Sequence, residues 1–223
     1  MQLPSLISGK RFTLPRPAGS ADALLLARLG EREKAAHRTT AIVTADATDA
    51  QRLIDEMAFF APELRCALFP DWETLPYDQF SPHPDIVSQR LSALHRLPTL
   101  EKGIVVVPVQ TLMQRLSPLK HIAGGSFDYR MGQRLDFDAE KRRLEAASYR
   151  HVPQVLDPGD FAVRGGLLDV YPMGADAPLR IELLDDTIDS LRHFDPESQR
   201  SLDRVESVQL LPGREVPLDE RSV

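Results

Sequence analysis

Three arginines set into extended, apolar-leaning blocks are the residues of this 223-residue chain best suited to recognition chemistry. Arg164 lies in DFAVRGGLLDVYP, and Arg180 and Arg192 lie in LRIELLDDTIDSLRHFD. A planar guanidinium pairs bidentately with a carboxylate, and arginine beside a desolvatable apolar residue is the composition that protein-protein hot spots favour. Side chains alternate along a strand, so Ala162 and Arg164 share one face while Phe161 and Val163 share the other. In the next block Leu179, Ile181 and Leu183 form an apolar row, which leaves Arg180, Glu182 and Leu184 on the opposite, solvent-facing side. Arg192 groups with Ser190 and Phe194, and its side relative to Arg180 depends on the pairing register. An ordinary solvated sheet face has the same composition, because single exposed leucines and arginines are common.

Other chemistries are less well served. The turn Gly19-Ser20-Ala21-Asp22-Ala23 precedes an apolar helix, where a phosphate loop would end in Gly-Lys-Thr or Gly-Lys-Ser. Asp22 and Ala23 stand in its last two places: an acidic side chain repels phosphates, and alanine offers Mg²⁺ no hydroxyl. Asp22 is expected to serve as a helix-start residue. The six histidines are scattered, and Asp71, Glu73, Asp78 and Asp85 lie in a proline-rich loop without metal-ligand spacing. No nucleophile-elbow motif occurs, and Cys66, the single cysteine, has only Arg65 as a charged neighbour. Catalysis by this chain alone is not expected, and no cofactor or metal is called for. With one cysteine no internal disulfide can form, so a reducing compartment is natural and a buried, inert thiol is the expectation.

A formal charge of -6 argues against a whole-surface nucleic-acid binder, since neutralising phosphates takes clustered Lys and Arg. The start MQLPSLISGKRF lacks the order of a signal peptide, and no stretch is long and apolar enough to span a bilayer. A cytoplasmic protein without membrane contact is expected.

The elements that must position the arginines fall into two groups, and 223 residues with 42% hydrophobic content allow two modest domains. From Gly19 to about Leu116 helices and strands alternate, which predicts an α/β layer with a parallel sheet. Helices are expected at Ala23 to Arg28, Ala50 to Phe60 and Asp85 to Leu97, and buried strands at Ala41 to Ala45 and Ile104 to Val107. After Gly124 and Gly125, the linker residues, alternating strands and one helix from Phe137 to Ala147 predict a smaller α+β domain with an antiparallel sheet. The expected boundaries are 1-123, 124-211, and a tail from 212 to 223. Trp72, Tyr77 and Phe80 are expected to pin their loop by packing. Lys141, Arg142 and Arg143 read as a solvated helix turn, and Asp185 and Asp186 as a turn between strands.

The runs DWETLPYDQFSPHPDIVSQRLSALHRLPT, VVPVQTLMQRLSP and YRHVPQVLDPGDFAVRGGLLDVYPMG resemble the amino-terminal region of bacterial transcription-repair coupling factors, over nearly the whole chain. That region is similar to UvrB, a component of the nucleotide excision repair excinuclease. The resemblance implies a degenerate helicase-like (RecA-like) domain that does not hydrolyse ATP, followed by a small domain that docks onto the excision repair subunit UvrA. The family's UvrA-contacting arginines fall on Arg164 and Arg180, and a third, often aromatic, contact position falls on Leu184. Compared with UvrB itself, the GSADA turn replaces a working phosphate loop, and the few residues between Tyr77 and Pro84 leave no room for a DNA-clamping hairpin. The family's motor and its RNA polymerase and DNA contacts lie in other domains, so the chain reads as an amino-terminal fragment that recruits UvrA to stalled transcription. An intramolecular, autoinhibitory clasp and a UvrB-like ATP-dependent DNA-binding protein are the alternatives. Truncating Arg164 or Arg180 is expected to leave folding nearly untouched.

Overall fold

The computed structural model describes residues 7–15, 17–74, 78–100 and 102–216. In chain order its first elements are α1 (Ala21–Ala35), β1 (Thr39–Thr44), α2 (Ala47–Phe60), β2 (Cys66–Leu68), α3 (Pro84–Arg96), β3 (Gly103–Pro108), α4 (Val109–Leu112) and α5 (Leu119–Gly124). There follow β4 (Phe127–Arg130), α6 (Phe137–Ala146), β5 (Arg150–His151), β6 (Asp160–Arg164), β7 (Leu167–Val170), β8 (Leu179–Leu184), β9 (Thr187–Phe194), β10 (Ser201–Arg204) and β11 (Ser207–Leu210). The described residues form two compact units, one within Met1–Asp71 and Pro98–Gln114, the other within Trp72–Leu97 and Arg115–Val223.

The first unit is an α/β layer. Its sheet has the order β1-β3-β2 with every pairing parallel. Parallel strands are buried on both faces, which suits the run GIVVVP of β3, where Ile104 and Val106 have no exposure. Helices α1 and α2 carry Ala23, Ala27, Leu53 and Met57 into the core with Ile42, Ile104 and Val106. Gly30 makes this packing close: a Cβ there would come within 2.5 Å of Ile104 Cδ1. Helix α2 starts at Asp46, whose carboxylate accepts the Asp49 N–H at 2.8 Å, satisfying one of the orphan donors of the first turn.

The second unit holds a six-stranded sheet of order β10-β9-β8-β7-β6-β5, antiparallel except between β5 and β6, and a separate pair of β4 and β11. One sheet face is apolar and buried, with Phe161, Leu168, Val170, Leu179, Ile181 and Leu191 all at 1% exposure or less. Asp136 caps α6 by accepting the Asp138 and Ala139 N–H groups, and Tyr129 donates to the Glu140 carboxylate at 2.7 Å.

Helix α3 departs from the linear split expected at residue 123. It packs within the second unit, although β3, which follows it, belongs to the first. The cause is a set of contacts that reading along the chain does not expose. Arg90 of α3, with no exposure, pairs with buried Glu215, and Ser88 Oγ accepts the Gly174 N–H at 2.8 Å. The expected tail from 212 therefore begins with buried residues, Pro212, Gly213 and Glu215, and residues 217–223 lie outside the described residues.

Candidate docking face

Strand pairing with two tight turns brings the arginines onto one face. Arg164 and Leu167 are paired across Gly165-Gly166, where Gly165 has a φ of 58° that favours glycine. Leu184 and Thr187 are paired across Asp185-Asp186, so these two aspartates form the turn expected of them. Register then sets the faces: residues directly opposite on neighbouring strands point the same way. Ala162, Asp169, Arg180, Arg192 and Arg204 form one row across β6 to β10, and Arg164, Leu167, Glu182 and Ser190 form the next. Arg192 thus shares the face of Arg180, which alternation alone leaves open. Asp189 is left over as a bulge between Ser190, opposite Glu182, and Ile188, opposite Leu183.

The centre of this face is Asp169, a residue that the sequence alone does not single out. It is 1% exposed and accepts from both expected arginines. Arg180 donates Nε to Oδ1 at 2.7 Å and Nη2 to Oδ2 at 2.8 Å, and Arg164 donates Nη2 to Oδ2 at 2.7 Å. The hydrogen bonds to Asp169 hold the Arg180 guanidinium above its ordinary pKa. A signal was present in LLDVYP, since alternation puts Asp169 on the Leu167 face, opposite the apolar row of Leu168 and Val170.

The two arginines differ in exposure. The Arg164 side chain is 50% exposed and that of Arg180 only 15%. Arg180 lies 4.7 Å from the centroid of the Phe194 ring and donates Nη1 to the Gln199 carbonyl at 3.2 Å. The arginine face is therefore not simply solvated. Val155, Ala162 and Phe194 form a small buried cluster on it, and Gln199 ties the covering segments together by donating to the Val155 carbonyl. Burial of Arg180 against a charged partner also departs from the expectation that its truncation would leave folding untouched. Leu184, at the open end, is 67% exposed. Beside the covered guanidinium of Arg180 the face thus offers the accessible guanidinium of Arg164, exposed Arg204 and the aliphatic Leu184, groups able to pair with carboxylates while excluding water.

The other singled-out residues have plainer roles. Asp22 sits in the first turn of α1, where an acidic side chain suits the helix dipole, and accepts the Ala23 N–H at 2.7 Å. Its carboxylate also meets Arg52 of α2, with Nη2 to Oδ2 at 2.9 Å and Nη1 to Oδ1 at 3.3 Å, and these hydrogen bonds hold its pKa below the usual carboxylate range. Trp72 packs under the Arg90 guanidinium at 4.1 Å, whereas Phe80 is 81% exposed and not pinned. Tyr77 lies outside the described residues. Arg143 is less free than expected, lying 4.0 Å over the Phe127 ring. Cys66 is half-buried, and burial pushes its thiol pKa up, away from the reactive thiolate. Among the described residues no group of three or more His, Cys, Asp or Glu is placed to hold a metal ion, and no helix is long and apolar enough to cross a membrane.

Comparison with known proteins bears on the unit that carries this face. A family model, the UvrB interaction domain, matches residues 127–215. The chain is 45% identical over 216 residues to the transcription-repair-coupling factor of Escherichia coli (strain K12), covering 97% of this chain and 18% of that protein. It is 46% identical over 203 residues to the Haemophilus influenzae protein of the same name, covering 91% of this chain and 17% of that protein. The match to the Bacillus subtilis (strain 168) transcription-repair-coupling factor is 30% over 175 residues, 78% of this chain and 15% of that protein. The chain thus spans less than a fifth of the length of these curated relatives. Identity along nearly its whole length, with a UvrB interaction domain at residues 127–215 within its second unit, makes this chain a member of the transcription-repair-coupling factor family.

Proposed function

We propose that this chain is a non-catalytic docking module that recruits the nucleotide excision repair protein UvrA to stalled transcription complexes. Arg164, Arg180 and Leu184 form the contact. The observation that carries the reading is the accessible guanidinium of Arg164 on the same sheet face as exposed Leu184, inside the segment matched by the UvrB interaction domain. Arginine flanked by apolar surface suits a partner that presents a carboxylate, because the charge-assisted pair gains strength once water is excluded. The first unit acts in this reading as a degenerate helicase-like support. Where a catalytic relative would present lysine to a phosphate, Asp22 faces Arg52 instead. Contacts with RNA polymerase and DNA belong to other parts of the longer, cytoplasmic protein.

Calorimetric titration of purified UvrA with the 223-residue chain tests the proposal. Saturable binding that Arg164→Ala weakens about thirty- to a thousandfold is the expected result. No saturable heat with a folded wild-type chain would overturn it.

A further inference from the structure

The ion triad on the docking face divides labour unequally between its two arginines. Asp169 is 1% exposed in a strand whose next neighbours Leu168 and Val170 are core residues. A carboxylate there carries a desolvation cost that an apolar residue of similar size would avoid. Two cations share this one anion. Arg180 is held at Nε and Nη2 by Asp169, at Nη1 by the Gln199 carbonyl, and across its plane by Phe194. Arg164 makes one hydrogen bond to Asp169, through Nη2, and is half-exposed. The surplus positive charge of the triad therefore resides on the accessible arginine.

Resting on the docking reading above, we propose that Asp169 is a positioning residue of the docking face: it locks Arg180 in place and presents Arg164 as the exchangeable cation for a partner carboxylate. When Arg164 turns to a partner, Asp169 loses one of the three arginine hydrogen bonds to it and stays neutralised by the bidentate Arg180. Without Arg180, Arg164 becomes the only arginine left on a buried carboxylate and is drawn inward. Truncating Arg180 thus weakens docking through Arg164. Removing the charge of Asp169 in that background releases Arg164 again.

The test is a cycle of Asp169→Asn, Arg180→Ala and the double variant in the 223-residue chain, with UvrA affinity and melting temperature measured for each. Asp169→Asn alone is expected to weaken binding about tenfold, and Asp169→Glu to recover part of the loss. In the Arg180→Ala background the same Asp169→Asn change is expected to strengthen binding several-fold and to raise the melting temperature. A purely structural carboxylate would not reverse the sign of its effect on binding. Should Arg180→Ala fail to fold, the neutral Arg180→Gln serves as the second background, with the same reversal expected. Additive losses, or wild-type affinity in Asp169→Asn, would overturn the positioning role while leaving the docking reading in place. A folded wild-type chain that does not bind UvrA would overturn both.

Discussion

Arg90 and Glu215, 125 residues apart, form a bidentate ion pair shut off from water, Nε to Oε2 at 2.8 Å and Nη2 to Oε1 at 3.1 Å, with the Trp72 ring against the guanidinium. The pair joins α3 to the segment that follows β11, and both side chains are at 1% exposure or less. Removing one partner of such a pair strands the other charge in a dry interior, which typically costs about 3–5 kcal/mol. Glu215→Ala should therefore destabilise the second unit by that amount. Chemical denaturation monitored by Trp72 fluorescence checks it, since Trp72 is the one tryptophan of the chain and touches the pair.

Arg164→Ala and Arg180→Ala should behave differently. Arg164→Ala is expected to weaken UvrA binding by about 2–4 kcal/mol, roughly thirty- to a thousandfold, with melting nearly unchanged because the side chain is half-exposed. Arg180→Ala should weaken binding and also destabilise the fold by about 1–3 kcal/mol, because the buried Asp169 loses its bidentate partner. Calorimetry for affinity and scanning calorimetry for melting separate the two effects. Equal melting temperatures for the two variants would contradict this division.

Arg192 and Arg204 extend the row of Arg180 across β9 and β10, an alignment of like charges that is unfavourable by itself. A partner with carboxylates facing this row would relieve the repulsion. Arg192→Glu should accordingly lower UvrA affinity at low salt and lower it less as salt is raised, whereas stability should rise slightly as the like-charge row is broken. Titrations at two ionic strengths measure this.

The chain should not bind ATP usefully. Asp22 is turned to Arg52, so its region offers a neutralised pair where a phosphate needs a lysine. Titration with a fluorescent ATP analogue and Mg²⁺ should show no saturation in the micromolar range. Micromolar binding would contradict the assignment.

The same aspartate sets an acid limit. Its hydrogen bonds to Arg52 hold the folded pKa below the unfolded value of about 3.9, so the stabilisation is fully present above about pH 4 and is lost as pH falls through the lower folded value. Asp195, held down mainly by the Ser198 hydroxyl and then its N–H, acts in the same direction in the second unit. Asp22→Asn should flatten the fall in melting temperature between about pH 4 and pH 2. A pH series of thermal melts on wild type and variant checks it.

Much of the architecture was legible locally. The apolar spacing of AQRLIDEMAFF and of IVVV at Ile104 to Val107 reports burial through a period of 3.6 or through a short continuous run, and these lie within α2 and β3 as expected. Alternation placed Arg164 opposite Phe161, and Arg180 opposite Leu179 and Ile181, because a strand has only two faces. Family resemblance carried by long motifs pointed to the same second unit that the UvrB interaction domain matches.

Tertiary structure decided what depends on partners far along the chain. The side of Arg192 required the register of β8 on β9, and that register contains the Asp189 bulge, which shifts every later pairing by one residue. The burial of Arg180 required Phe194, Gln199 and Asp169, brought together from three different segments. The placement of α3 in the second unit required Glu215 as a counter-charge. Local sequence states which face of an element is apolar, but the charge, cover and neighbours of the other face come from long-range pairing, whose loop-closure entropy is offset only by the assembled whole.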